Sequence, residues 1–133
     1  MEAAQRLFEA KERFPVGSGD WARATASAFS VLMQDECAEV AKPEWWNDEG
    51  LKVLSASVVR AAPDDSGSNM MRASVLSGKG GSAWPAGSQP RSAAELREAV
   101  THWERAAALQ TAPAMKAGNA DLAARCRTMA EDM

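Results

Sequence analysis

Ser92-Ala93-Ala94-Glu95-Leu96-Arg97-Glu98-Ala99-Val100-Thr101-His102-Trp103-Glu104-Arg105-Ala106-Ala107 decides the fold class of this chain. Ser92 with Glu95 three residues on is a capping box, in which hydroxyl and carboxylate satisfy each other's free backbone N–H groups. Leu96, Ala99, Val100, Trp103, Ala106 and Ala107 then recur every three or four residues, the spacing of one helical face. Thr111-Ala112-Pro113 closes this helix, and proline suits the first turn of a new one. The spacing predicts that last helix over 113–131, with Met115, Gly118, Leu122, Cys126 and Met129 on one stripe.

Working back toward the N-terminus, helices recur. Residues 2–14 place Ala4, Leu7 and Phe8 on one face before Pro15, and Val16-Gly17-Ser18-Gly19 reads as a turn. A helix over 20–41, capped by Asp20, carries one stripe of Trp21, Ala24, Ala28, Val31 and Leu32. Phe29, Met33 and Val40 form a second, rotated stripe. A helix apolar over that much of its girth is packed on two sides. Residues 44–61 follow from Pro43, with Trp46, Gly50, Val53, Leu54, Val58 and Ala61 in helical register. Gly50 there marks either a close helix contact or a start nearer Asn47 or Asp48. After the turn at 63–68, a short helix over 68–77 carries Met70, Met71, Ala73, Val75 and Leu76. Residues 78–91 are rich in Gly and Pro, without periodicity, and read as a loop insertion. No alternating apolar run suggests a strand. The expectation is one all-α domain over 1–133 with about six helices.

Composition narrows the function classes. The 133 residues are 46% hydrophobic and 25% charged, ordinary for a globular protein, with net charge −3. Residues 1–65 hold seven Lys or Arg against twelve Asp or Glu. That balance argues against nucleic acid as partner, because phosphate binding needs clustered positive charge. No apolar stretch is long enough to span a membrane, and Met1-Glu2-Ala3-Ala4-Gln5-Arg6 leads into no signal core. Cys37 and Cys126 lie far apart, outside any metal-ligand spacing, and read as reduced, buried thiols. Together these features point to a cytoplasmic protein.

The segment Ala99-x3-Trp103-x2-Ala106, followed by Pro113, resembles the second helix of a tetratricopeptide repeat (TPR). Small residues there let helices approach, and the aromatic fills the gap between pairs. Pro113 falls two residues later than in the family's pattern. Val58-Val59-Arg60-Ala61-Ala62-Pro63 is similar to the end of an earlier repeat, with Val58 in a small position and Ser55 in a large one. Met71 and Val75 stand where the family's next first helix has Leu and Tyr, and Arg72 where it has Gly. The resemblance covers roughly residues 45–113. It implies antiparallel helix pairs stacked as a short right-handed superhelix, with a protein or peptide partner on the concave face. Two pairings are open. One joins 2–14 to 20–41, 44–61 to 68–77 and 92–109 to 113–131. The other is offset by one helix, as the family register implies.

His102 is the lone histidine, with Glu98 and Glu95 one and two turns before it. The triplet could orient a base, but a Glu98–His102 pair at the edge of the apolar stripe is an ordinary surface contact. Ser77-Gly78-Lys79-Gly80-Gly81-Ser82 lacks the first glycine and the Ser/Thr of a phosphate loop. Glu44, Asp48 and Glu49 beside Trp45 and Trp46 could take a cation or a sugar, while a charge cluster at a helix start explains the acids as well. Trp84 lies outside every stripe and either staples the loop to the core or anchors a partner.

The sequence therefore predicts a non-enzymatic protein–protein or peptide interaction module without cofactor, metal, or catalytic residues. The Met115/Leu122/Met129 stripe leaves a homodimer open. The alternative is a small helical-bundle enzyme or ligand-binding protein with a pocket lined by Trp45, Trp46, Trp84 or His102.

Overall fold

The computed structural model describes residues 9, 12–33, 44–78 and 90–133. The expected helix over 2–14, residues 34–41 of the next one, Cys37, Trp84 and most of the 78–91 loop lie largely or wholly outside that set. The described residues form five helices: α1 (Gly19–Leu32), α2 (Asp48–Ala61), α3 (Ser66–Ser77), α4 (Ala93–Leu109) and α5 (Pro113–Glu131), with no strand among them. Among the described residues no helix is long and apolar enough to cross a membrane.

Each helix packs on the next, and α1 also packs on α3. Two apolar clusters result. Trp21, Ala22, Ala26 and Phe29 of α1 meet Leu51 and Val58 of α2 and Met71 and Val75 of α3. Ala73 and Leu76 of α3 meet Ala99, Val100 and Trp103 of α4 and Ala123 and Cys126 of α5. Helix α3 thus feeds both clusters, and its buried positions run almost around its girth. Such a helix is an internal one.

Local caps set the boundaries. In α4 the capping box forms as expected: the Glu95 N–H donates to Ser92 Oγ at 3.1 Å, and the Ser92 N–H donates to Glu95 Oε1 at 3.0 Å. Helix α1 begins one residue before the expected cap, Asp20. Ser18 takes that role, its hydroxyl accepting the Trp21 N–H at 3.2 Å. Asp20 instead sits in the first turn and pairs with Arg23 at 2.6 Å. Helix α2 starts at Asp48 with Asn47 as cap, the later of the two starts the sequence allows. Gly50 serves that start, because a Cβ there would meet the Trp45 carbonyl oxygen at 2.6 Å. Helix α3 is two residues longer at its N-terminus than expected. Asp65 Oδ2 caps it by accepting both the N–H and the hydroxyl of Ser68.

Two expected apolar stripes are met only in part: Val58 of α2 and Cys126 of α5 are buried as expected, and Trp46, Leu54 and Ala61 pack on the cluster that holds Val58. In α2 the buried positions are Leu51, Ser55 and Val58, and Val53 is exposed. In α5 the buried face is Asn119, Ala123, Cys126 and Ala130. Met115 and Leu122 of the expected stripe are exposed at 45% and 36%. The cause is the surface of α4. Fully buried Ala99 and Ala106 draw the helices together, and a close approach selects small residues over Met and Leu.

Gly78 ends α3 in the left-handed region at φ +67°, and a Cβ there would lie 2.8 Å from Arg91 Nε. Gly118 of α5 has nothing within 4 Å of the same position. Gly78→Ala is therefore expected to destabilise by about 1–3 kcal/mol. Gly118→Ala, in an open helical site, should stabilise by about 0.5–1 kcal/mol. Urea midpoints of the two variants, read at equal m-value, check the opposed signs.

Candidate functional site

Three places gather polar or open surface: a groove across the odd-numbered helices, a polar seam between α2, α3 and α4, and a shallower groove beside the adjacent tryptophans.

The first groove has a volume of about 620 Å³, within the range of ligand-binding clefts. Phe29, Val31 and Met33 line it from α1 and its C-cap, Met70, Met71 and Ser74 from α3, and Met115 from the start of α5. Arg23 and Asp65 are its charged lining. Methionine is unbranched and polarisable, so a wall of methionines adapts to irregular apolar partners.

The polar seam is built on Arg91, which the sequence reading did not single out. Its guanidinium is only 4% exposed. Nε and Nη2 donate to the Val75 carbonyl at 3.2 and 2.9 Å, closing the C-terminal turn of α3. Nη1 and Nη2 donate to the two carboxylate oxygens of Asp48 at 3.2 and 2.6 Å, a bidentate pair. Lys52 continues the seam to Asp48 at 3.7 Å and to Glu95 at 2.9 Å. Burial raises the Glu95 carboxyl, but the Ser92 N–H, Lys52 and the Ser92 hydroxyl outweigh it and hold the group below the usual carboxylate range.

His102 continues the seam further along α4. Asn69 Nδ2 donates to the carbonyls of Pro63 and Asp65 at 2.9 and 3.0 Å. Its Oδ1 therefore faces His102 Nδ1 at 3.1 Å and accepts from that nitrogen when it carries the proton. His102 Nε2 lies 3.3 Å from Glu98 Oε2, which also accepts from Arg72 Nε at 3.2 Å. Arg72 Nη1 donates to the Lys52 carbonyl at 2.8 Å and to Ser55 Oγ at 3.1 Å. The expected Glu98–His102 pair is present, but the histidine is half-buried and tied to α3 as well. Burial pushes the imidazole below its ordinary value, and Arg72 adds to this, against the pull of Glu98. His102 lines neither groove.

The acidic cluster beside the tryptophans divides. Asp48 turns to Arg91 and Lys52. Glu49 and Trp45 line the shallower groove of about 560 Å³ with Val16, Trp21 and Val53. Trp46 packs on Phe29, ring centroids 5.6 Å apart. Of the glycine-rich segment 77–82, only Ser77 and Gly78 are described. Ser77 Oγ donates to the Ala73 carbonyl at 2.7 Å and accepts the Trp103 indole N–H at 3.1 Å. Its proton is thus engaged, and the Cys126 thiol, 3.3 Å away, donates to its remaining lone pair. Among the described residues no group of three His, Cys, Asp or Glu side chains could hold a metal ion.

Removing Arg91 leaves the Asp48 carboxylate half-enclosed and the Val75 carbonyl without its guanidinium donors. Arg91→Ala is expected to cost about 3–5 kcal/mol. A double-mutant cycle with Asp48→Asn should return a coupling of about 1–3 kcal/mol, measured by denaturant unfolding.

The pH dependence follows from the two shifts. With its native value lowered, His102 binds a proton less readily folded than unfolded. Stability therefore falls as pH drops below about 6.5 and is level above it. The lowered Glu95 contributes stability above about 4.5 that is lost on further acidification. His102→Gln should flatten the upper phase and leave the lower one, as followed by urea midpoints between pH 4 and 8.

No family model, no curated protein and no solved structure matches this chain.

Proposed function

We propose that this chain is a non-enzymatic helical-repeat module that binds an apolar or amphipathic peptide segment of a partner protein in the groove across α1, α3 and α5. The groove itself carries this reading. Its walls come from alternate helices, and α1 touches α3 directly. A TPR-like right-handed stack expects that relation between the first helices of successive units, whose concave face takes the ligand. This is the offset pairing, α1 with α2 and α3 with α4, in which α4 is a second helix. The Ala99/Trp103/Ala106 spacing asks the same of α4. The pairing of α2 with α3 would instead put α2 and α4 on the concave side.

The apolar lining of Phe29, Val31, Met70, Met71 and Met115 suits a helix or strand that inserts a few apolar side chains. A binder of this type works in the cytoplasm as an adaptor, without a cofactor. The rival reading, an enzyme or ligand-binding bundle with a tryptophan-lined pocket, has Trp45 and Glu49 on the shallower groove to support it. His102 and Glu98 do not line that groove, so the histidine base that the rival would use lies elsewhere, on the polar seam.

The test is selection of peptides on the immobilised protein from a random library, followed by titration of the enriched sequence. Ser27 and Ser30 are exposed groove-lining residues of α1, so Ser27→Arg and Ser30→Arg obstruct the groove without entering the core. Each should weaken the selected peptide at least tenfold. Failure to enrich any peptide, or binding indifferent to both substitutions, would overturn the reading.

A further inference from the structure

Four of the chain's seven methionines line the groove across α1, α3 and α5: Met33, Met70, Met71 and Met115. They differ in what else they touch. Met71 is 1% exposed and belongs to the apolar cluster of α1, α2 and α3. Met33 is half-buried and packs against that cluster. Met70 is half-buried against the other cluster, and its sulfur accepts from Ser66 Oγ at 3.9 Å and from Gln110 Nε2 at 3.8 Å. Met115, in the first turn of α5, is 45% exposed and belongs to neither cluster. Among the groove methionines it alone is open to a reagent in the folded chain and carries no part of the core.

We propose that Met115 is an oxidation site through which a hydroperoxide closes the groove to its apolar partner. The proposal rests on the peptide-binding reading of that groove and adds its regulation. In the step, a sulfur lone pair of Met115 attacks the terminal oxygen of the peroxide. An S–O bond forms and the O–O bond breaks. The hydroxyl proton passes to the departing oxygen, which leaves as water or an alcohol. Sulfur loses two electrons and the peroxide gains them. The product is a sulfoxide, polar where the thioether was apolar.

The geometry selects this sulfur twice. A buried thioether meets an oxidant only when the structure opens, which shelters Met71, and the two donors on Met70 occupy its sulfur lone pairs. The consequence is also sharpest at Met115. A sulfoxide oxygen on the groove wall is hydrated until a partner covers it. An apolar partner side chain strips that water and offers no donor in return, which is the cost of an unpaired buried acceptor. Because Met115 lies outside both clusters, the oxidised chain keeps its core while the groove loses its partner.

The test titrates the peptide selected on the groove against the full chain before and after timed exposure to hydrogen peroxide. The sulfoxide at each methionine is followed by peptide mass. Met115 should oxidise at least about tenfold faster than Met71. Met133, 69% exposed and off the groove, is the internal control. As Met115 converts, the peptide should weaken about tenfold, the effect of one unpaired acceptor. Met115→Leu, whatever its own starting affinity, should hold that affinity within twofold through the same exposure while Met133 oxidises. Met115→Gln should show the loss without peroxide. Circular dichroism at the parent's helix content keeps unfolding out of each comparison. Unchanged affinity at full conversion of Met115, an equal loss in Met115→Leu, or Met71 oxidised as fast as Met115 would overturn the proposal and leave the groove reading standing. An untreated chain that enriches no peptide would overturn both.

Discussion

The buried guanidinium of Arg91 holds three helix ends in one place. It closes the last turn of α3 through the Val75 carbonyl, grips the first turn of α2 through Asp48, and precedes the cap of α4 by one residue. A helix C-terminus carries partial negative charge and free carbonyls, and a buried cation there needs a carboxylate to balance it. Asp48 supplies that balance from the most favourable position for an acid, the start of a helix. The glycine conformation at 78 belongs to the same constraint, since a side chain there would strike the guanidinium. With the ends of α2, α3 and α4 pinned together, the directions of those helices are set, and the clusters on either face of α3 follow.

Fixing the helix ends also fixes the faces. Helix α3 turns Met71 and Val75 toward α1 and α2, and Ala73 and Leu76 toward α4 and α5. What remains between α1 and α3 is the methionine-lined groove. The polar seam from Lys52 through Arg72, Glu98 and His102 to Asn69 follows the junction of α2, α3 and α4. Its hydrogen bonds demand particular partners at particular heights, which apolar packing alone does not. Such a seam specifies one register for the α3–α4 contact.

Much of this was legible in the sequence, for identifiable reasons. The capping box and strict period of α4 are local signals, and the structure reproduces that helix to within a residue at its start. Proline at the first turn of α5 is local too. The buried face of α5 was legible only at Cys126. Met115, Leu122 and Met129 outrank alanine in hydrophobicity, so a pattern reading selects them. The alanine surface of α4 instead admits only small neighbours, and that requirement belongs to the pair of helices. Arg91 was hidden for a similar reason. Its partners lie 16 and 43 residues away, and nothing in a glycine- and proline-rich segment marks one arginine as buried. Ser18 lost its role as a cap to Asp20 in the reading because both types cap well and the two lie only two residues apart. His102 was placed correctly at the edge of its stripe. The pinned amide of Asn69, which gives the imidazole its orientation, comes from another helix.

The Ser77 hydroxyl joins α3, α4 and α5 by receiving the Trp103 indole N–H and the Cys126 thiol while donating to its own helix. Three groups therefore share one oxygen whose capacity is full. The thiol is 4% exposed and can meet a reagent only when α5 lifts from α4. Cys126 is thus a native clock for that opening. Its alkylation rate, read at that residue by peptide mass, follows the lifting of α5 without any added label, and ligands or contacts that hold α5 down slow it in proportion.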